Sequence, residues 1–175
     1  MPNAAPDRRL PAAAGPQLVN PALFSSAERR RLSAPGLRTF LAVADLWRMT
    51  EEERLRVLGS PSRSTYHGWA KAVREHRDVT LDLDTLTRIS AFLGIYQALL
   101  ILEGDEAAGL RWLRTPHGAP VFAGRPPMAL VTDGSQDALL TVRRFLDAAR
   151  GGIYMPPNAV DEGFTPYADG DIDLS

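Results

Sequence analysis

Apolar residues recur at every third or fourth position along most of this chain, and an alternation with period two is nowhere sustained. The first such stripe consists of Leu37, Phe40, Leu41, Ala44 and Trp47. A similar stripe runs from Ala138 to Ala149. Spacings of three and four put side chains on one face of an α-helix, whereas a half-buried strand requires strict alternation. The pattern therefore predicts an all-α fold.

Capping residues divide the first half of this pattern into separate helices. Thr50 and Glu53 have the spacing of a capping box, and Gly59 is expected to end the helix that they begin. Ser62 is expected to cap a second helix directly after Ser60-Pro61. The sequence therefore predicts two helices joined by a short turn.

Helices are also predicted beyond this pair. Asp84 is expected to cap a helix that ends at Gly94, and the apolar segment 95–102 then suits a buried helix or a contact between subunits. Further helices are predicted over 107–114, as a single turn over 128–131, and from a cap at Ser135 to Gly151-Gly152. Proline and glycine between 115 and 127 predict a loop.

Composition excludes several kinds of protein. The 175 residues are 45% hydrophobic and 23% charged, which is typical of a globular chain rather than a disordered one. The chain has no cysteine, so disulfide frameworks, thiolate zinc sites and thiol nucleophiles are excluded. Neither a signal peptide nor an apolar run of about 20 residues is evident, which predicts a cytoplasmic protein without a membrane anchor.

Charge is unevenly distributed along the chain. Residues 1–80 carry 13 Lys and Arg against 8 Asp and Glu, whereas residues 81–175 carry 7 against 13. A basic half can approach phosphate groups and an acidic half cannot, although ordinary solvated surface would explain the same numbers.

The two helices around Ser60-Pro61 have the order of a helix-turn-helix DNA reader. In such a module the second helix lies in the major groove and its first residues reach the bases. The side chains assigned to DNA are Arg63, Ser64, His67 and Lys71. Two-helix hairpins are also frequent in helical proteins without any DNA role, so a purely structural hairpin stays open.

No enzymatic site emerges from the residues, and neither a cofactor nor a catalytic group is predicted. A glycine-rich phosphate loop is missing from the sequence. Asp82 and Asp84 suit a helix start, and the acidic residues near 169–173 lack the spacing of a calcium loop. His117 is interpreted as polar surface in a loop, and Trp112 as a core residue.

The segment from Gly104 to Tyr154 resembles the toxin-binding domain of the Xre/MbcA/ParS antitoxin family. The motifs that carry the resemblance are Trp112-Leu113, Arg114-Thr115-Pro116, a proline/glycine loop, Gly124-Arg125-Pro126-Pro127 and a final Gly152-Ile153-Tyr154. Upstream, 63–69 and 86–96 resemble the helix-turn-helix of that family and the helix that follows it. The loop 116–124 departs from the more frequent asparagine-containing version.

The resemblance implies a non-enzymatic antitoxin whose partner is a RES-domain toxin that consumes NAD or transfers its ADP-ribose. It also implies repression of its own operon, as in many members of the family, and a homodimer within a larger toxin–antitoxin complex. The runner-up from the residues is a stand-alone helix-turn-helix repressor whose C-terminal half only dimerises. Binding of the neighbouring gene product distinguishes the two.

Residues 155–175 form an acidic tail with five acidic and no basic side chains. We expect it to enter the NAD cleft of the toxin, with carboxylates where phosphates would lie; the alternative is a free end. The predicted toxin contacts are Arg111, Arg114, Arg125, Tyr154, Asp161, Glu162, Phe164, Tyr167 and Asp169. The predicted divisions are a flexible arm over 1–35, the helix-turn-helix and dimerisation helices over 36–103, the toxin-binding domain over 104–154, and the tail.

Overall fold

A computed structural model describes residues 25–151 of the chain, and within that range it contains seven α-helices and no strand. The predicted all-α fold is confirmed. The helices are α1 Ser26–Leu46, α2 Glu51–Val57, α3 Arg63–Arg74, α4 Leu83–Glu103, α5 Glu106–Arg114, α6 Pro127–Val131 and α7 Gln136–Arg150, with a 3₁₀ turn at Pro120–Phe122 between α5 and α6.

Helix α4 lies at the centre of one continuous apolar core. It packs against α1, α5 and α7. Phe92 on α4 contacts Phe40 of α1 and Trp47 directly after α1, with ring centroids 4.8 and 4.6 Å apart. Trp47 and Phe92 are almost completely buried. By length and composition alone α4 could cross a membrane, but its apolar side chains are largely accounted for by this core.

Helix α1 begins ten residues earlier than the sequence pattern indicated, so the predicted flexible arm over 1–35 is wrong for residues 26–35. Ser25 caps the helix by accepting a hydrogen bond from the backbone N–H of Glu28, and Pro35 lies inside the helix. Proline lacks the backbone N–H that would continue the helical hydrogen bonds, and buried Ser33 holds this turn in place instead. Its hydroxyl donates to the Arg29 carbonyl and accepts from the Leu81 N–H at 2.9 Å. A tertiary contact thus anchors a turn that proline would usually end.

Gly94 does not end a helix, because α4 continues through it from Leu83 to Glu103. A β-carbon at this position would lie 0.9 Å from Nη1 of Arg143 on α7, so the glycine leaves room for the guanidinium of Arg143 to lie across α4. The cap of α4 is Asp82, which accepts from the Thr85 N–H at 2.8 Å, whereas Asp84 pairs with Arg88. The predicted cap at Asp84 is therefore wrong by two residues.

Candidate functional site

Local sequence signals build the helix-turn-helix as predicted. The capping box is confirmed: Glu53 accepts from the Thr50 N–H at 2.7 Å, and Thr50 Oγ1 accepts from the Glu53 N–H at 3.2 Å. Gly59 and Ser60 both have positive φ, which turns the chain sharply after α2. The predicted cap at Ser62 is also confirmed by a 3.1 Å hydrogen bond from the Thr65 N–H.

Helix α3 is two-faced, with one side in the core and the other exposed. Tyr66, Ala70 and Val73 are buried. The four residues assigned to DNA from the sequence are all exposed and follow one another along the outer side: Arg63, Ser64, His67 and Lys71. The fold thus brings this predicted set together on one helix, and its contact with DNA stays a prediction.

Carboxylates lie close to this exposed stripe. Glu51 at the start of α2 lies 3.3 Å from Nε2 of His67 and 3.7 Å from Nε of Arg63, and Glu75 lies 4.0 Å from Nζ of Lys71. The side chains of Arg63 and Lys71 are 74% and 68% exposed. Exposed ion pairs of this kind contribute about 0–1 kcal/mol, so a phosphate group can replace the carboxylates.

The sequence pattern missed the arginines of α1 that lie beside α3. A groove of about 650 Å³ runs between α1 and α3, and its lining includes Arg38, Arg74 and His76. A second hollow of about 550 Å³ shares Arg38 and His76 with it and adds Arg30. Arg30 was missed because residues 1–35 were predicted to be a flexible arm. Arg38 was missed because its position beside α3 depends on how the two helices pack.

The C-terminal half is organised around a cluster of four aromatic rings. Phe122 is completely buried, and its ring centroid lies 5.8 Å from Trp112, 5.0 Å from His117 and 4.9 Å from Phe145. The cluster joins α5 and α7 to the loop between α5 and α6. Trp112 packs against the core but is only partly buried and also lines a surface hollow, so its assignment to the core holds in part.

His117 is part of this cluster, so its interpretation as polar surface is wrong. The imidazole is half-buried, and Nδ1 accepts a 3.1 Å hydrogen bond from the Ala119 N–H. Its backbone N–H donates to the Arg125 carbonyl at 3.3 Å. Sequence periodicity could not reveal this because the ring's neighbours come from α5, the 3₁₀ turn and α7.

The three predicted toxin-contact arginines of the described range lie in different surroundings. Arg111 is exposed and lines a hollow of about 320 Å³ with Trp112 and His117. Arg125 is exposed at the end of the loop. Arg114 instead donates from Nη2 to the Trp47 carbonyl at 2.6 Å, which ties α5 to the end of α1. The fold therefore gives Arg114 a structural role whatever its role in binding.

Six other predicted contacts lie outside the described residues: Tyr154, Asp161, Glu162, Phe164, Tyr167 and Asp169. Within residues 25–151, no three His, Asp or Glu side chains are grouped closely enough to hold a metal ion.

Comparisons with known proteins divide the chain at α4. Residues 26–94 match the antitoxin Xre-like helix-turn-helix domain, and residues 97–152 match the antitoxin Xre/MbcA/ParS C-terminal toxin-binding domain. The chain is also 36% identical over 127 residues to the uncharacterized protein y4oB of Sinorhizobium fredii (strain NBRC 101917 / NGR234). That match covers 73% of this chain and 92% of the relative.

Proposed function

This chain belongs to the Xre/MbcA/ParS antitoxins, and we propose that it neutralises a RES-domain toxin by covering that toxin's NAD site. The observation that carries the proposal is the match of residues 97–152 to a toxin-binding domain. In this reading the chain acts as a protein inhibitor in the cytoplasm rather than as an enzyme.

The aromatic cluster supports a binding role for the loop between α5 and α6. Phe122 anchors the middle of the loop in the core, and His117 holds its first turn through Ala119 and Arg125. A braced loop loses little conformational entropy when a partner binds it. Arg111 and Arg125 are the exposed charged groups beside it, and we assign them to the toxin interface.

The acidic tail is the part of the chain that we assign to the NAD cleft. Residues 155–175 contain five carboxylates. We assign Asp161, Glu162 and Asp169 as partners for the groups of the toxin that would otherwise bind the phosphates of NAD. Phe164 and Tyr167 provide aromatic anchors, and Tyr154 lies at the junction with the toxin-binding domain. A cleft occupied in this way cannot admit NAD.

Two measurements test this function. The neighbouring gene product is co-purified with the full-length chain, and its NAD turnover is followed with the full-length chain or with one that stops after Tyr154. We expect complex formation with both chains but inhibition with the full-length chain only. Equal inhibition by the two chains would exclude the tail from the mechanism, and the absence of a complex would exclude the antitoxin role.

A matched pair of arginine variants tests the loop. Arg111→Ala is expected to weaken the complex on the order of tenfold, as loss of a charged interface contact does. Arg56→Ala is the control, because Arg56 is also an exposed arginine, pairs only with Glu52 among the described residues and lies on α2. Equal affinities of the two variants would remove Arg111 from the interface.

The exposed stripe on α3 favours a second function, repression of the chain's own operon. Arg63, Ser64, His67 and Lys71 stand on the outer side of the second helix of a helix-turn-helix, where a DNA reader places its base contacts. A homodimer would place two such helices on the two half-sites of an operator. A gel shift on upstream DNA with Lys71→Ala tests this, and retention of toxin binding by that variant would show that the two faces act independently.

The alternative is a stand-alone repressor whose C-terminal half only dimerises. It predicts a gel shift without any complex with the neighbouring product, so the same two experiments distinguish it from the antitoxin.

A further inference from the structure

The two hollows beside α3 form one surface, which we call the basic groove. On α1 the groove is lined by Arg30 and Arg38, and on the opposite side by Arg74 and His76. The two hollows meet at Arg38 and His76, which line both. The groove starts at the stripe already assigned to bases, since His67 and Arg74 of α3 both line it. It leads from there to the beginning of α1.

Most carboxylates around the groove already have a cationic partner. Glu28 pairs with Arg31 at 2.7 Å, Asp45 with Arg54 at 2.7 Å, and Glu75 with Arg77 at 2.7 Å. Glu51 lies within 4 Å of Arg63 and His67.

Three arginines of the groove remain without a carboxylate partner in the described part of the chain: Arg30, Arg38 and Arg74. Asp78 is the single carboxylate that lines the outer hollow among the described residues. Among the described residues, six arginines line the groove against three carboxylates, Asp45, Glu51 and Asp78, so arginines are in excess.

The spacing of these charges fits an extended polyanion better than a small one. Arg30 and Arg38 are eight residues apart on α1, which corresponds to about 12 Å along a helix axis. Successive phosphates of one DNA strand advance about 3.4 Å along the duplex, so this distance spans three to four of them. An isolated phosphate ion would reach only one of the two arginines.

We propose that the basic groove binds the phosphate backbone of DNA through Arg30, Arg38 and Arg74, beside the base contacts of α3. The inference rests on the repressor function proposed above and adds to it a contact without sequence preference. Phosphate contacts orient a reading helix on the duplex and supply much of the affinity, whereas α3 supplies the discrimination.

The acidic tail is the competing occupant of the groove. Its five carboxylates are spread over residues 161–173, whereas a DNA strand carries one charge at every nucleotide. Continuity of the groove with the α3 stripe also favours DNA, because a single duplex can cover both surfaces. The experiment below separates the two occupants.

The test is the salt dependence of DNA binding by the full chain. Affinity for a duplex from upstream of the gene and for a random duplex of equal length is measured by fluorescence anisotropy at several salt concentrations. Each phosphate contact contributes about 0.9 to the slope of log K against log salt. Arg30→Ala/Arg38→Ala is expected to reduce the slope by nearly two and to weaken both duplexes equally, on the order of tenfold.

Two control variants keep this test specific. Arg30→Lys/Arg38→Lys retains both charges and is expected to retain the slope, since a phosphate accepts a lysine as a point charge. Arg144→Ala/Arg150→Ala removes two exposed arginines from α7 and is expected to leave the slope unchanged. Lys71→Ala, measured on the same two duplexes, shows how removal of a charge from α3 changes the slope and the affinity.

The outcomes distinguish failure of the groove proposal from failure of the repressor function on which that proposal rests. If the wild-type chain binds neither duplex, the repressor role fails and the groove proposal fails with it. If the wild-type chain binds and Arg30→Ala/Arg38→Ala keeps its slope, the groove proposal alone is overturned. A third outcome concerns the tail, which is tested with a chain stopped after Gly151. If this shorter chain binds DNA more tightly and Arg30→Ala/Arg38→Ala abolishes that gain, the tail occupies the groove and the groove proposal is also overturned.

Discussion

The helix-turn-helix half and the C-terminal half hold their candidate contact residues in different ways. On α3, Arg63, His67 and Lys71 are exposed because the opposite side of the same helix is buried. Arg125 instead lies at the end of a loop whose position depends on Phe122, which packs between α5 and α7. One surface requires only a helix with two faces, whereas the other requires a correctly packed cluster.

The two halves nevertheless share one core. Helix α4 runs without a break from the residues of the helix-turn-helix match into those of the toxin-binding match. Arg114 bonds to the Trp47 carbonyl, and Arg88 Nη1 bonds to the Gly134 carbonyl at 2.9 Å. We therefore expect the halves to unfold together while differing in how a mutation affects their surfaces.

The largest effect is expected from Phe122→Ala. Removing a fully buried phenylalanine costs about 3–5 kcal/mol of unfolding free energy, because the cavity is only partly refilled. Urea unfolding followed by tryptophan fluorescence and far-UV circular dichroism gives the value, and the two transitions should coincide. Val121→Ala is the control, since Val121 is 38% exposed. Separate transitions would show that the halves are independent.

A smaller effect is expected from Gly94→Ala at the contact between α4 and α7. The new methyl group would overlap the guanidinium of Arg143, which must move and give up its ion pair with Asp147. Because this group is the flexible end of a side chain, we expect a cost of about 1 kcal/mol, the low end of the range for overpacking. Arg143→Ala in the same chain should recover most of the loss, which a double-mutant cycle measures.

Gly68→Ala provides the matched control for this substitution. Gly68 lies inside α3 with no atom within 4 Å of the added β-carbon, so the change should stabilise the helix by about 0.5–1 kcal/mol. Equal effects at Gly94 and Gly68 would contradict the assigned role of Arg143.

The smallest effect is expected from Tyr96→Phe, which removes a contact between α4 and α5. Tyr96 Oη donates to Glu106 Oε1 at 2.6 Å, and this hydrogen bond, followed by burial, raises the pKa of Tyr96. Because the bond is exposed, its loss should cost about 0.5 kcal/mol.

The raised pKa also predicts how this contribution depends on pH. It is fully present below the ordinary tyrosine pKa of about 10 and is lost as pH rises through the raised value in the folded chain. Unfolding free energies of wild type and Tyr96→Phe should therefore converge at high pH. A difference that stays constant across that range would show that the hydrogen bond is not its source.

Three of the helix starts were predictable from local sequence signals. Thr50, Ser62 and Ser135 each cap the helix that they were expected to cap, because a side-chain oxygen reaches a backbone N–H only three residues away. The exposed stripe on α3 was predictable for the same reason, since one helical period determines both of its faces.

Other features depended on residues far apart in the chain. Residues 26–35 were assigned to a flexible arm, yet they are helical and Ser33 among them is anchored by Leu81. Gly94 was expected to end a helix, yet α4 continues through it beneath the guanidinium of Arg143. The imidazole of His117 is half-buried because Phe122 and Phe145 surround it, and the basic groove exists because α1 packs beside α3.

By itself, the sequence determined the helical class, the caps at Thr50, Ser62 and Ser135, and the two-faced α3, because these follow from backbone hydrogen bonding and periodicity within a few residues. Only the tertiary structure decided the single α4, the aromatic cluster and the basic groove. Each of these depends on which helices come into contact, and no spacing within one segment specifies that.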